Sequence, residues 1–438
     1  MANFKHMHSR KRAALLAALV FVLPLTAPAQ ERSISIAEVF HLVQTRNPGV
    51  LAGEEGVEAS RQSMRQARSA LLPQLSAQAS QGRGRSMADF GPGSLNPVTA
   101  NSFSSSLMLS VPIVDATNIA MYKAAKLETS AARFQQQSDL QDAYAQAASM
   151  FFLYQRHLSA VRVIESTIDL DNVLLDIAAK RREADVATEL DLTRAKVALS
   201  KDRQRLLAEQ TVLDQSRLQL LQTIGLDPEL KISLVLVEPL PPDTLFVPDW
   251  HSVLESRPEY KAANELLQRN KVAERAADWQ RFPSMAVQGQ YGHTSRLPGD
   301  GEGGEVWAIG LTMNVPLWEG GRIGAEKMQA RALIRQQEQR IRQISDSVHT
   351  AYNLALEAVR QRWEEIPLAR EAVSLGELEL KYARERFEAN VTDNSDVISA
   401  QLSLADANDT LVDALLRYDL ARVDLARVLG QVESRLTR

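Results

Sequence analysis

The stretch Glu388–Asn408 reads EANVTDNSDVISAQLSLADAN, a helical pattern that breaks at Asn390–Val391 and resumes near Asp393. Residues Glu183–Arg203, EADVATELDLTRAKVALSKDR, make the same break 205 positions earlier. Asn and Asp tolerate the left-handed backbone that closes many helices, which suits Asp185 and Asn390 to the turn, followed by Val186 and Val391. Thr188 and Asp393 then suit the N-caps of the returning helices. Asp191 and Asp396 stand three residues on, a capping box with Asp in place of the usual Glu. A well-made helical hairpin accounts for each tip. It does not account for building the tip twice.

The duplication reaches outward from the tips. Pro48 and Pro258 each suit the first position of a helix, where the missing N–H costs nothing, and Pro73 and Pro283 close those helices. Strand-like alternation follows. In FSSSLMLSV, Phe103, Leu107, Leu109 and Val111 share a face, with Ser104, Ser106 and Ser110 opposite. In VWAIGLTMNV, Trp307, Ile309, Leu311, Met313 and Val315 oppose Ala308, Gly310, Thr312 and Asn314. Such alternation over about 10 residues fits a membrane-spanning β-strand. It fits a soluble sheet with one buried face equally well, and on the strands alone that commoner source takes precedence. SMADFGPGSLNPVTAN and HTSRLPGDGEGG, between strand partners, have the composition of exposed turns.

Long helices come next. No proline or glycine occurs from Ile113 to Ile224. Residues 115–184 and 320–389 each give roughly 105 Å of helix at about 1.5 Å per residue, with Pro367 read as a kink. The shorter helices beyond each tip, stacked on the proline-started helix of the same half, match that length. A seam of Val397, Ala400, Leu404, Ala407, Leu411 and Ala414 steps by three and four. Leu192, Ala195, Leu199, Leu206, Leu213 and Leu220 echo it, and Ile341, Ile344, Val348, Ala351, Ala355 and Ala358 supply it on the long helix. That is coiled-coil packing.

Composition narrows the class. Among 438 residues, 45% are hydrophobic and 24% charged, which argues against wholesale disorder. Lys5, Arg10, Lys11 and Arg12 precede the apolar run Ala13–Leu23 and then Ala27-Pro28-Ala29, the pattern of a cleaved secretion signal rather than a membrane span. Losing those four basic residues takes the formal charge from −4 to −8, which disfavours nucleic acid. With no cysteine, disulfides, thiolate metal sites and a lipid-modified Cys are excluded. The seven histidines are scattered, the ten methionines form no cluster, and GDGEGGEV lies between strands rather than before a helix. No catalytic residue, cofactor or metal site is expected.

The order of elements resembles the TolC family of outer-membrane efflux channels. LTMNVPLWEGGRIGAEK (Leu311–Lys327), its partner LMLSVPIVDATNIAMYK (Leu107–Lys123), and ERFEANVTDNSDVISAQLSL (Glu385–Leu404) carry the likeness. Two departures stand out: Asp185 and Asn390 replace the family's tip glycine, and Ala116-Thr117 stands where Gly320-Gly321 stands in the second half. The resemblance implies a membrane α+β fold. Strand hairpins and long helical hairpins, duplicated, form as a homotrimer a 12-stranded outer-membrane β-barrel continued by a periplasmic α-helical barrel.

The division expected is a signal peptide at 1–29, a first repeat at 30–224 (β-hairpin 74–113, helical hairpin 115–224), a connector at 225–248, and a second repeat at 249–438 (β-hairpin 284–316, helical hairpin 320–430). The implied function is a passive exit duct in a Gram-negative outer membrane, partnered by a periplasmic adaptor and an inner-membrane transporter. Asp191 and Asp396, repeated threefold, would ring the entrance with up to six carboxylates. The competing reading is a periplasmic coiled-coil adaptor without a pore.

Overall fold

The computed structural model describes residues 32–89, 95–242, 248–299, 301–389 and 391–437. The expected signal peptide and part of the connector lie outside these residues. The chain order is β1 (Arg32–Ile34), α1 (Ile36–Arg46), α2 (Pro48–Ser69), β2 (Gln74–Asp89), β3 (Leu95–Val114), α3 (Ala116–Glu183) and α4 (Glu189–Thr223). The second half follows with β4 (Ile232–Leu234), α5 (Trp250–Ser256), α6 (Pro258–Trp279), β5 (Ser284–Ser295), β6 (Gly304–Asn314), α7 (Arg322–Glu388), α8 (Asn394–Val428) and α9 (Val432–Leu436).

Strands β2, β3, β5 and β6 form one antiparallel sheet in that order, so the two hairpins join through β3 and β5. Leu107 pairs with Tyr291 and Tyr291 with Trp307, which gathers the apolar positions onto one face. Among the described residues nothing covers that face. Trp307 is 72% exposed and Ile309 73%. A soluble sheet would bury it. Among the described residues, edge strands β2 and β6 are also left without outer partners, which no bilayer tolerates, so closure requires further strands.

The long helices have 68 residues in α3 and 67 in α7, about 100 Å each. Their starts differ. Asp115 caps α3 by accepting from the Asn118 N–H at 2.9 Å. At α7, Gly320 (φ 61°) and Gly321 (φ 86°) are both left-handed. They form a turn, so β6 stops at Asn314 and the helix begins at Arg322, two residues later than the alternation and length suggest. Helix α7 runs unbroken through Pro367.

Helices α2 and α4 both pack along α3, and α6 and α8 both pack along α7. Two short helices thus line one long helix in each half. Of the expected α8 seam, Val397, Ala400 and Ala414 are buried, and Leu404, Ala407 and Leu411 are half-buried. At Gly376 a Cβ would stand 3.2 Å from the Leu404 Cα, so α7 and α8 approach closely there. Between the halves, Arg156 on α3 binds Glu209 on α4 (2.8 Å) and Asp413 on α8 (3.0 Å), tying three helices with one guanidinium.

Sequence pattern alone left one layer undivided. Strand β4, inside the stretch read as a plain connector, pairs in parallel with β1. These strands, with α1 and α9, cover the middle of α3 and the C-terminal end of α4. Phe40, Val43, Tyr144, Phe151, Leu220 and Ile224 bury together there, and Phe40 meets Tyr144 edge-on at 5.2 Å. A three-residue strand has too short a period to be read locally. Full burial of such side chains contributes about 1.5–3 kcal/mol each. Phe40→Ala is expected to cost about 3–5 kcal/mol and to release α1 to protease. An apparent melting temperature matching that of Leu402→Ala, a 56% exposed control, would contradict this layer.

Candidate functional site

At the end of α3, Asp185 has φ 54°. The Asp185 N–H donates to the Arg182 carbonyl (3.0 Å) and the Val186 N–H to the Arg181 carbonyl (2.9 Å), the paired bonds of a Schellman turn. In the second half the Val391 N–H donates to the Arg386 carbonyl at 3.0 Å, the counterpart of the outer bond. Asn390 lies outside the described residues. Val186 and Val391 project into solvent at 57% and 67% exposure.

The returning helices start differently, and here the twin tips part. Thr188 and Asp191 form a full capping box: Asp191 Oδ2 accepts from the Thr188 N–H (3.0 Å) and hydroxyl (2.7 Å), while the Asp191 N–H donates to Thr188 Oγ1 (3.2 Å). Asp191 is thereby buried. At α8, Asp393 caps through the Ser395 N–H at 3.0 Å, and the expected box with Asp396 is not formed. The Asp396 carboxylate is exposed, 3.9 Å from Arg386. The reason is the cap residue: an Asp carboxylate has no hydroxyl proton to offer a second carboxylate.

The fold brings the two tips together. Arg194 Nη1 lies 3.0 Å from Asp393 Oδ2 and 3.9 Å from Asp191 Oδ1. Buried Asn394 donates through Nδ2 to the Asp191 carbonyl at 2.6 Å. Arg181 donates to the Phe387 carbonyl (2.6 Å), its guanidinium 4.3 Å over the Phe387 ring. Leu174, Leu380, Phe387, Val397 and Ala400 form the apolar cluster above. Sequence reasoning missed Arg181, Arg194 and Asn394. Their partners lie about two hundred residues away, and only Arg194, three residues after Asp191, carried any local signal.

Higher on the same hairpin, Asp171 is 2% exposed, faces Asp202 across α3 and α4, and leaves Oδ2 without a hydrogen bond. Burial first, then the neighbouring carboxylate, pushes its pKa up to about 7. Asp419 on α8 is likewise pushed up to about 7 by burial, against the lowering pull of Arg422 at 3.4 Å. A carboxyl pKa raised on folding gives stability fully present below the ordinary value near 4 and lost as pH rises through about 7. Asp171→Asn is therefore expected to raise the apparent melting temperature at pH 7.5 and flatten its fall between pH 5 and 7.5. An unchanged slope would mean the pair is fully ionised and solvated.

Among the described residues no helix is long and apolar enough to cross a membrane, and no cluster of three or more His, Cys, Asp or Glu is placed to hold a metal ion. The comparisons with known proteins agree with this geometry. The family described as outer membrane efflux protein matches residues 39–226 and 250–431. The toluene efflux pump outer membrane protein TtgF of Pseudomonas putida is 26% identical, covering 85% of this chain and 78% of its own. Outer membrane protein OprJ of Pseudomonas aeruginosa is 27% identical over 85% of this chain and 79% of its own.

Among solved structures, the CmeC outer membrane channel of Campylobacter jejuni superposes with a TM-score of 0.80 at 17% identity, covering 91% of this chain and 86% of that one. The MtrE outer membrane channel of Neisseria gonorrhoeae gives 0.75 at 20% identity over 92% and 90%. The architecture is the TolC-type one, placed in a Gram-negative outer membrane, and the pore-less adaptor reading falls with it. The two matched segments cover most of each half of the duplicated plan, and the chain belongs to the outer membrane efflux protein family.

Proposed function

We propose that three copies assemble into a duct whose twin helical tips form its periplasmic entrance. Four strands from each copy close a 12-stranded barrel, and the helices continue it as a tunnel. Solutes then pass down their gradient from an inner-membrane transporter, through a periplasmic adaptor, to the exterior, with no bond made or broken. The uncovered apolar sheet face with two open edges is the observation that carries this reading. The relatives include outer membrane proteins of a toluene efflux pump and an antibiotic efflux pump, which makes small organic solutes the cargo class we favour.

At the entrance the two acidic candidates take separate roles. Asp191, enclosed by Thr188 and beside Arg194, serves the helix start. Asp396, exposed, supplies one carboxylate per copy to a ring of three, rather than the six that sequence symmetry suggests. Such a ring attracts cations and repels anions. Asp185, Val186 and Val391 shape the turns, and the Arg194–Asp393 bridge latches one hairpin to the other.

Planar-bilayer recording of the purified protein separates these roles. Asp396→Ala is expected to reduce cation preference and block by multivalent cations. Asp191→Ala should leave selectivity alone and lower stability by about 1 kcal/mol, the usual worth of a cap. Arg194→Ala should raise the open fraction by loosening the latch. Selectivity that follows Asp191 and ignores Asp396 would overturn the assignment.

A further inference from the structure

We infer that the helical collar just beneath the barrel carries an outward-facing binding groove for anionic phospholipid headgroups of the periplasmic leaflet. Between α2, α3 and α6 lies a groove of about 570 Å³. Lys123, Lys126 and Arg133 line it, with Glu265 as the one carboxylate among its lining residues and Leu127 and Val272 as apolar wall. None of the three cations is ion-paired among the described residues, although Lys123 lies 5.9 Å over the Trp279 ring. Neighbouring cations are paired: Lys327 with Asp278 (2.7 Å), Arg331 with Glu274 (2.8 Å) and Arg269 with Glu128 (2.8 Å). The groove therefore holds a local surplus of positive charge.

The surplus extends around the collar. The segments next to the sheet, residues 58–72, 115–133, 265–282 and 318–335, hold fourteen Lys and Arg against eight Asp and Glu. The whole chain has the opposite balance, 50 against 54. Cations are thus concentrated where the helices meet the membrane, which is the pattern that attracts an anionic lipid surface.

Two observations place the groove outside the tunnel and near the bilayer. Lys126, Ser130 and Arg133 continue at steps of three and four into Gln137, Gln141 and Tyr144 on α3. Gln141 accepts from the Val432 N–H at 3.1 Å and Tyr144 packs on Phe40, so this face carries the layer of α1 and α9. That layer would plug the tunnel if it lay inside. The opposite face of α3 carries Glu128, Gln135 and Asp139. Second, α3 starts at Ala116 directly after β3. Lys123 and Lys126 then sit only about 10–15 Å below the strand end. Helical side chains lean toward their own N-terminus, here toward the membrane, and lysine stems snorkel further. The apolar strand face and exposed Phe282 (61%), Leu317 (93%) and Trp318 (87%) mark the boundary above.

The inference rests on the outer-membrane reading, and the test keeps the two apart. Full-length protein is recovered from the outer-membrane fraction and reconstituted into nanodiscs of phosphatidylcholine with either phosphatidylglycerol or further phosphatidylcholine. Lipid retained on detergent release is counted by native mass spectrometry. Wild type is expected to retain phosphatidylglycerol about tenfold over phosphatidylcholine, and Lys123→Gln/Lys126→Gln to fall below about twofold, on the scale of surface lysines at anionic lipid. Lys381→Gln, an exposed cation far down α7, should behave as wild type. Equal retention of both lipids, or a preference the double variant keeps, would refute the groove while leaving the channel reading intact. Retention on purified peptidoglycan sacculi that needs Lys123 and Lys126, without lipid preference, would give the groove to the cell-wall polymer and also refute it. Absence from the outer-membrane fraction would instead defeat the channel reading first.

Discussion

An open-edged sheet with a bare apolar face is the constraint on which everything else depends. Among the described residues, strands β2 and β6 each present a row of unpaired backbone groups, and Trp307, Ile309, Leu311 and Met313 are all more than half exposed. In water the face is a liability, and in lipid the edges are. The assembly we propose relieves both, with copies closing edge to edge and the apolar face outward. The helices below inherit that demand. They must continue a ring and so cannot collapse into a globule, which explains helices of nearly seventy residues joined by seams of small side chains rather than one large core.

Those seams are thin, and the molecule compensates locally. The α1, β1, β4 and α9 layer thickens the wall at mid-height and contains the largest apolar cluster. Gly376 lets α7 and α8 close to backbone contact. Arg156 reaches across three helices. Buried polar groups set beside this packing, Asp171 and Asp419 among them, are costly in their charged forms.

The tips show duplication turning into division of labour. Both share the outer helix-ending bond, Val186 to Arg181 and Val391 to Arg386, yet Thr188 engages Asp191 while Asp393 leaves Asp396 outside a capping box. One hairpin thereby acquires a sealed start and the other an exposed carboxylate. Asp393, released from a capping box, is available to Arg194. The asymmetry costs one hydroxyl and creates a bridge between hairpins.

Much of this was legible without coordinates. Period-two alternation, proline positions, a hundred-residue run without helix breakers and the repeated tip each report on neighbouring residues, and local backbone physics dictates them directly. The seam residues, the helix-starting prolines and the Thr188–Asp191 box belong to that class. What the chain order could not state is which distant groups meet: β1 with β4, Arg194 with Asp393, Asn394 with the Asp191 carbonyl, Asp171 with Asp202. A side chain's exposure and partner depend on helices that return after dozens or hundreds of residues. So Asp191 and Asp396 match in sequence position, their local caps differ through Thr188 and Asp393, and only the packing of α4 against α8 brings Arg194 to Asp393 and Asn394 to the Asp191 carbonyl.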